Sequence, residues 1–270
     1  MKQAEIEMEF TETHVEIGGS KTKLLRGGSG EPLLYLHSAG GETMWMPFHE
    51  ALAEHYEVFA PAHPGFDTSQ GLEKIDSMED MLFHYLDFWD AMGWEKVHVV
   101  GLSLGGWIAA ELATRYSNRI KKMVLVDSAG LYVKGSPIAP LWEHALEPEY
   151  LRKILFADPE GPLAMTLVVH PEEMPEELLL LSMKAAEATA RIGWNPYLHN
   201  PKLRERLHRI KVPTLVLWGD KDGLIPPAHG KAFAEGIQGA KLVILPNCGH
   251  MPPFEAQDAF VKNVLGFLKG

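Results

Sequence analysis

The most constraining feature of the sequence is a repeated pattern of short apolar runs that end in small or polar residues. Four such runs are PLLYLHSAGG, YEVFAPAHPG, VHVVGLSLGG and KMVLVDSAG, and helical patterns separate them. Continuous apolar runs of this length are typical of strands buried on both faces of a parallel sheet. Their alternation with helices predicts an α/β fold with a mostly parallel, doubly wound sheet.

Further strands are predicted at both ends of the chain. HVEI and KTKLLRGG indicate an edge hairpin, and PTLVLWGD and AKLVILPNCGH add two strands, which makes eight in total. Helices are predicted over 44–54, 76–92 and 104–116. Asp76 and Glu79 form the predicted capping pair of the second helix.

Residues 131–207 interrupt this alternation, because they contain helical stretches and prolines but no convincing strand. We interpret this segment as a helical cap inserted after the sixth strand. Residues 1–130 and 208–270 then form one core domain. A chain of 270 residues, 46% of them hydrophobic, is long enough to bury the core of such a domain.

The segment HVVGLSLGGWIAAELA places Ser103 between Gly101 and Gly105 in a G-x-S-x-G motif. A predicted strand leads directly into the motif and a helix follows at once, which is the arrangement that a nucleophile elbow requires. The glycines allow neighbouring backbone to approach a strained serine closely. We therefore interpret Ser103 as a catalytic nucleophile; the alternative is a glycine-rich turn with a structural serine.

A nucleophilic serine needs a base, and His250 is the candidate that we favour among thirteen histidines. It follows the predicted strand LVILP and precedes a helix entry, so it lies on a loop at the carboxyl edge of the sheet. His37 and His63 also follow strands. His37 precedes a turn better suited to supplying backbone donors, and His63 is more typical of a residue that shapes a loop.

The imidazole needs a carboxylate to hold its tautomer and to stabilise its positive charge. WGDKDGLIP offers Asp220 and Asp222 after a strand, and we favour Asp222 because it lies further into the loop. Asp127, at the end of VLVD, is the alternative. The order serine, aspartate, histidine is the one found in α/β-hydrolases.

An oxyanion hole is predicted from two backbone amides. HSAGG can present the amide of Ala39, and the amide of Leu104 begins the helix after the nucleophile. The dipole of that helix favours negative charge at the same place.

Composition excludes several classes of function. The net charge of −11 and the absence of a basic run argue against nucleic-acid or anionic-membrane partners, and no apolar run approaches the roughly 18 residues of a membrane span. Residues 1–17 are polar and acidic, so no signal peptide is predicted. The single cysteine, Cys248, precludes an internal disulfide and favours a reducing compartment. We expect a cytoplasmic protein that takes a small-molecule substrate, with a homodimer possible.

Taken together, HSAGG, APAHPGFDTS, GLSLGG, WGDKDGLIP and CGHMPPFE resemble the α/β-hydrolase superfamily over nearly the full length of the chain. The resemblance implies an α/β-hydrolase fold with a Ser–His–Asp core and a helical cap after the sixth strand. Ser38 stands where the family usually has glycine.

Within the superfamily, Ser103 argues against epoxide hydrolases and haloalkane dehalogenases, which place an aspartate at the nucleophile position. The C–C hydrolases of meta-cleavage products are similar in WGDKD and in the position of the cap. They typically have Asn before the serine and Trp after the histidine, where this chain has Leu102 and Met251. The cap arginine expected for a dienoate carboxylate is replaced near its usual place by Met183 or Lys184.

The function predicted from these residues is hydrolysis of carboxylic esters through an acyl-enzyme, with lactones such as acyl-homoserine lactones as a close variant. No metal or organic cofactor is expected, since the histidines show no metal-site spacing. C–C hydrolysis and cofactor-free perhydrolysis are the alternatives. A surplus of acidic residues between 143 and 177 is either a solvated outer face or, if it faces the pocket, a reason to expect a neutral, partly apolar substrate. The predicted pocket residues are Ser38, Trp142, Met165, Met183, Trp194 and Met251.

Overall fold

The structure is a computed structural model that describes residues 10–270. One eight-stranded sheet forms its centre, with strand order β1-β2-β4-β3-β5-β6-β7-β8. β2 runs antiparallel to both of its neighbours, β1 and β4, while β3 to β8 pair in parallel. The strands are β1 (Phe10–Ile17), β2 (Ser20–Gly27), β3 (Pro32–Leu36), β4 (Glu57–Pro61), β5 (Val97–Leu102), β6 (Ile120–Val126), β7 (Thr214–Gly219) and β8 (Lys241–Leu245).

Helices connect the parallel strands on both faces of the sheet. They are α1 (Pro47–Ala53), α2 (Met78–Ala91), α3 (Leu104–Tyr116), α4 (Pro148–Leu155), α5 (Pro162–Leu167), α6 (Glu176–Gly193), α7 (Leu203–Arg206), α8 (Ala228–Gly236), α9 (Pro252–Glu255) and α10 (Gln257–Lys269). Short 3₁₀ helices cover Leu72–Lys74, Ser117–Arg119, Pro171–Glu173 and Leu207–Arg209. The prediction of an α/β fold with a mostly parallel eight-stranded sheet is confirmed.

The continuous apolar runs place side chains on both faces of the sheet. In β3, Leu34 and Leu36 pack into one hydrophobic cluster, whereas Leu33 and Tyr35 pack into the other. Successive side chains of a strand point to opposite faces, so a strand covered by helices on both sides carries apolar residues at consecutive positions. This arrangement holds the carboxyl ends of β3 and β5 to β8 together at one edge.

The predicted cap of α2 is wrong by one residue. The helix begins at Met78, and Ser77 is its N-cap, whose Oγ accepts a hydrogen bond from the Asp80 amide. Asp80 in turn accepts from the Asp76 amide. Ser77 and Asp80 therefore do the work predicted for Asp76 and Glu79, because serine accepts from the third helical amide equally well.

The segment between β6 and β7 contains α4 to α7 and two 3₁₀ helices but no named strand. The division of the chain into a core (1–130 and 208–270) and a cap (131–207) stays a prediction. Among residues 10–270, no helix is both long and apolar enough to cross a bilayer. The prediction that no signal peptide is present falls partly on residues 1–9, which lie outside the described residues.

Candidate active site

Ser103 lies on a sharp turn between β5 and α3. Its φ of 52° is in the left-handed region, and its amide donates to the carbonyl of Val126 at 2.8 Å. A non-glycine residue in this region is strained, and the surrounding hydrogen bonds hold it there. The turn places the Ser103 hydroxyl at the carboxyl edge of the sheet, in the wall of a cavity.

The glycines around this turn allow backbone segments to touch. A Cβ built on Gly101 would lie 2.4 Å from the carbonyl oxygen of Gly105, and one on Gly105 would lie 2.0 Å from that of Leu36. Both distances are far shorter than a carbon–oxygen contact. The G-x-S-x-G spacing is thus required by the packing of α3 against the ends of β3 and β5.

Three distant side chains form a continuous hydrogen-bonded relay. The Ser103 hydroxyl donates to His250 Nε2 at 2.9 Å, and His250 Nδ1–H donates to Asp222 Oδ2 at 2.8 Å. All three residues are buried. This is the geometry in which the imidazole can remove the serine proton while the carboxylate fixes its tautomer.

Asp222 is oriented by its own loop. Its Oδ1 accepts from the amides of Leu224 at 2.9 Å and Ile225 at 2.8 Å, which leaves Oδ2 for the histidine. Asp220 instead accepts from the amide of Cys248 at 3.3 Å and is exposed. The structure therefore brings Asp222, and not Asp220, to His250; the catalytic roles themselves stay predictions.

Both predicted oxyanion donors lie near Ser103. Ala39 lines the same cavity as Ser103, and Leu104 is the first residue of α3. The loop that carries Ala39 is closed by Glu42, whose carboxylate accepts from the Ser38 amide at 2.8 Å and from the Ser38 hydroxyl at 2.6 Å. Ser38, in the place where the family usually has glycine, thus fixes the loop through its two hydrogen bonds to Glu42.

His37 and His63 support that loop from below. His63 donates its amide to His37 Nε2 at 2.9 Å and its Nε2–H to the carbonyl of His37 at 2.9 Å, while the Tyr85 hydroxyl donates to His63 Nδ1. Burial lowers the pKa of both histidines. Both rings are therefore neutral, and each has one tautomer that satisfies its partners.

The relay opens into a cavity of about 380 Å³. Its wall is mostly apolar, and within the described residues 10–270 it includes no lysine or arginine. From the core, the wall takes Ser38, Ala39, Gly40, Gly41, Glu42, Ser103, Leu224, His250, Met251 and Phe254. From the segment between β6 and β7 it takes Leu141, Trp142, Ala145, Leu151, Leu155, Phe156, Leu167, Val168, Ser182, Ala185, Ala186 and Thr189.

The structure corrects three of the six pocket predictions. Ser38, Trp142 and Met251 line the cavity, whereas Met165, Met183 and Trp194 do not; their exposed fractions are 46%, 61% and 65%.

Met165, Met183 and Trp194 lie outside the cavity wall because of how the helices that carry them are oriented. In α6 the cavity face carries small residues at helical spacing, Ser182, Ala185, Ala186 and Thr189, and Met183 lies about 110° around the helix from the middle of that face. Trp194 ends α6 and packs on Trp142 with ring centroids 5.3 Å apart. In α5, Ala164 is the buried residue beside the exposed Met165.

The C-terminal end of α4 is bonded to the loops that carry the relay. The amide of His250 donates to the carbonyl of Leu155 at 2.7 Å, and the amide of Gly223 donates to that of Ile154 at 3.1 Å. In addition, Glu255 Oε2 accepts from the amide of Ala157 at 2.7 Å. These bonds couple the segment between β6 and β7 directly to the histidine and aspartate loops.

Asp127 lies beside the relay without belonging to it. Among residues 10–270, Asp127, Asp222 and His250 are the one group of three acidic, histidine or cysteine residues close enough to share a metal ion. Within this group, His250 Nδ1 and Asp222 Oδ2 are already joined in a hydrogen bond. The expectation that no metal or cofactor is needed stays a prediction.

Comparison with known proteins identifies the family of this chain. The model of the Alpha/beta hydrolase family matches residues 33–263, which is most of the chain. This chain belongs to the Alpha/beta hydrolase family. The resemblance of this hydrolase to the α/β-hydrolase superfamily is therefore confirmed.

Relatives of this hydrolase include proteins named as a dienoic acid hydrolase, a lipase and an enol-lactonase. It is 26% identical over 275 residues to the 2-hydroxy-6-oxo-6-(2'-aminophenyl)hexa-2,4-dienoic acid hydrolase of Metapseudomonas resinovorans, covering 97% of this chain and 92% of the relative. It is 28% identical over 253 residues to Lipase 1 of Psychrobacter immobilis, covering 88% and 77%. The structure of the enol-lactonase from Burkholderia xenovorans LB400 matches with a TM-score of 0.79 and 26% identity, covering 96% and 100%.

Sequence reasoning missed two parts of the site. Glu42 was not predicted, although a carboxylate four residues after a serine in a turn indicates that the two can form a local hydrogen bond. The apolar wall from α4 and α5, including Leu155 and Leu167, was also missed. No periodicity reports which face of a short helix will cover a cavity, because that depends on how the helix docks.

Proposed function

We propose that this hydrolase cleaves neutral carboxylic esters through an acyl-enzyme on Ser103. The observation that carries the proposal is the unbroken relay from Ser103 to His250 and Asp222 at the base of a mostly apolar cavity. A relay of this geometry activates a hydroxyl for attack on an acyl carbon.

The reaction runs in two halves. Ser103 Oγ forms a bond to the acyl carbon as its proton moves to His250 Nε2, and the amides of Ala39 and Leu104 hold the oxyanion. His250 then gives that proton to the departing alkoxide as the carbon–oxygen bond breaks. A water molecule attacks the acyl-enzyme, loses its proton to His250, and the acid leaves as that proton returns to Ser103. Asp222 stabilises the imidazolium in both halves.

The charge of the cavity favours a neutral acyl group. Glu42 is the acidic residue of the wall, and no wall residue within the described chain is a lysine or arginine that could pair with a substrate carboxylate. Placing a carboxylate near Glu42 in a poorly solvated cavity is unfavourable. The wall therefore supports an uncharged ester or lactone over a dianionic substrate.

C–C hydrolysis of a dienoate is the second candidate, because the Metapseudomonas relative is named for that reaction. Met183 and Lys184, nearest the place expected for the family's cap arginine, are both exposed and outside the cavity wall. Leu102 and Met251 replace the Asn and Trp typical of those enzymes. These features support our proposal of ester hydrolysis over C–C hydrolysis.

A substrate panel tests the choice. Purified protein is assayed with p-nitrophenyl esters of increasing chain length, an acyl-homoserine lactone and a yellow ring-fission dienoate, and separately for peroxide-dependent halogenation. We expect turnover of neutral esters or the lactone and no effect of EDTA. Bleaching of the dienoate without ester turnover would replace the proposal with C–C hydrolysis, and halogenation alone would replace it with perhydrolysis.

Glu42→Gln tests the electrostatic part of the proposal. We expect the ratio of kcat/KM for a half-ester of a dicarboxylic acid to kcat/KM for a neutral ester of equal length to rise by about 5- to 20-fold. The reason is that the amide removes the negative charge while its oxygen still accepts from Ser38. Using a ratio cancels any general loss from a loosened loop.

Glu177→Gln is the matched control, since Glu177 is exposed at the start of α6 and outside the cavity wall. It should leave the ratio unchanged. An unchanged ratio in Glu42→Gln as well would show that Glu42 does not select against acyl charge.

A further inference from the structure

The structure contains a second acid beside the relay. Asp127 follows β6 and is 0% exposed. One of its oxygens, one oxygen of Asp222 and one ring nitrogen of His250 all lie within 4.8 Å of one another. Its position is strongly fixed, since its amide donates to the carbonyl of Leu217 at 3.1 Å and its Oδ1 accepts from the amide of Gly219 at 2.9 Å.

The remaining oxygen of Asp127 indicates its protonation state. Oδ2 is buried and finds no donor among residues 10–270. A buried carboxylate oxygen without a donor is costly, and a second negative charge next to Asp222 adds repulsion. A proton on Oδ2 removes both penalties, because the group becomes a donor with the Asp222 carboxylate as a nearby acceptor.

The charge of the relay requires the same state. With Asp127 neutral, the site carries one negative charge at rest, on Asp222, and this charge is balanced when His250 becomes an imidazolium. With Asp127 ionised, two carboxylates would face one imidazole in a buried site. When two carboxylates share a buried site, the charge of one raises the pKa of the other, which favours its neutral form.

We propose that Asp127 is a positioning residue and reserve acid of the relay: a neutral carboxyl group that donates a hydrogen bond to Asp222, and whose carboxylate supports His250 when Asp222 is removed. This inference rests on the proposed function, because it takes the relay to be the catalytic machinery. It assigns a role to a buried acid that the reaction steps above do not use.

The surroundings of Asp127 are consistent with a neutral group. Burial raises the pKa of Asp127 well above its ordinary range, and the charge of Asp222 raises it further. The titratable groups that face it come from the loops after β7 and β8 and from α9. They are Asp222, Cys248, His250 and Glu255. Burial also raises the pKa of the Cys248 thiol and of the Glu255 carboxyl, so neither supplies a positive charge.

Labelling of Ser103 by a fluorophosphonate probe tests the proposal, because its rate depends on the relay and not on which substrate the enzyme takes. Asp127→Asn is the conservative variant: asparagine tolerates the φ of 41° found at this position and can donate to Asp222 as the acid does. We expect it to label within about three-fold of wild type.

Asp222→Ala tests whether Asp127 can support His250 in place of Asp222. Its labelling should slow by about 100-fold, less than the roughly 10⁴-fold loss that follows when a triad acid is disabled outright. Adding Asp127→Asn to Asp222→Ala should slow labelling by at least about 10-fold more, although Asp127→Asn alone has little effect. If the double variant labels within about two-fold of Asp222→Ala, Asp127 is not a reserve acid.

The same experiment separates this inference from the proposed function. A wild-type protein that labels at Ser103 but turns over no ester would disprove ester hydrolysis. The labelling rates of the Asp222→Ala and double variants would still decide whether Asp127 is a reserve acid. A wild-type protein that does not label would overturn both.

Stability against pH provides a readout that a merely structural aspartate would not change. If the folded state holds the Asp127 proton and the unfolded state releases it, raising the pH favours the unfolded state of wild type. Asp127→Asn has no such proton. The free energy of unfolding of the variant minus that of wild type, measured in urea, should therefore rise from about pH 4 to about pH 8. A difference that stays constant over this range would show that Asp127 is ionised in the folded protein, and would overturn the proposal.

Discussion

Replacing Ser103 with alanine should lower kcat/KM for the best neutral ester at least about 1,000-fold, the scale on which loss of one triad member acts. In the proposed reaction this residue supplies the oxygen that bonds to the acyl carbon, and within residues 10–270 its hydroxyl is the one hydrogen-bonded to His250 Nε2. The fold should survive, since the side chain's hydrogen bond is the one to His250. Steady-state kinetics and labelling with a fluorophosphonate probe measure the effect.

Ser182→Ala is the matched control. Ser182 lines the same cavity from α6, but its hydroxyl donates to the carbonyl of Leu179. Its replacement should change kcat/KM by less than about three-fold. If Ser103→Ala keeps its ester activity, the nucleophile is another residue and the proposed function fails.

Gly105→Ala should destabilise the protein by about 3 kcal/mol or more, or prevent folding. Helix propensity alone predicts the opposite, because alanine is favoured over glycine in a helix interior by roughly 1 kcal/mol. Packing decides the sign: the added Cβ would meet the carbonyl oxygen of Leu36 at 2.0 Å and that of His37 at 2.7 Å. Both are backbone atoms, and backbone cannot rotate away as a side chain does.

Gly266→Ala separates the two effects. Gly266 lies in α10, is exposed, and has nothing within 4 Å of the position of a new Cβ. It should gain about 0.5 kcal/mol, the propensity effect reduced near the end of the helix. Urea unfolding of both variants makes the comparison. Equal stability of Gly105→Ala and wild type would contradict the close packing of α3 on β3.

The fold was predictable because buried parallel strands leave a strong signal. Continuous apolar runs that end in glycine, histidine or aspartate indicated both the strands and the edge where polar groups collect. Ser103 and His250 could be selected because each follows such a run directly. Asp222 required a further argument about how far a residue lies into its loop, and the structure brings this residue to the histidine at 2.8 Å.

The remaining features depend on packing that local sequence does not encode. The predicted pocket residues Met165, Met183 and Trp194 were chosen for their size and polarisability, yet the cavity face of α6 uses alanine, serine and threonine. Small residues there leave room for a ligand, and large ones on the outer face remain exposed. The error at the start of α2 was only one residue, since Asp76 and Ser77 are both good N-caps and sequence alone does not rank them.

The bonds between α4 and the relay loops limit how a substrate can enter. If the segment between β6 and β7 moved away from the sheet as one rigid body, the hydrogen bond from the amide of His250 to the carbonyl of Leu155 would break, and the backbone that holds His250 would lose this support. We expect the entrance for substrate to form beside α6 instead, because the cavity-facing Ser182 and Ala186 of that helix are already exposed. This hydrolase can then admit and release ligands while its proton relay remains assembled throughout the turnover cycle.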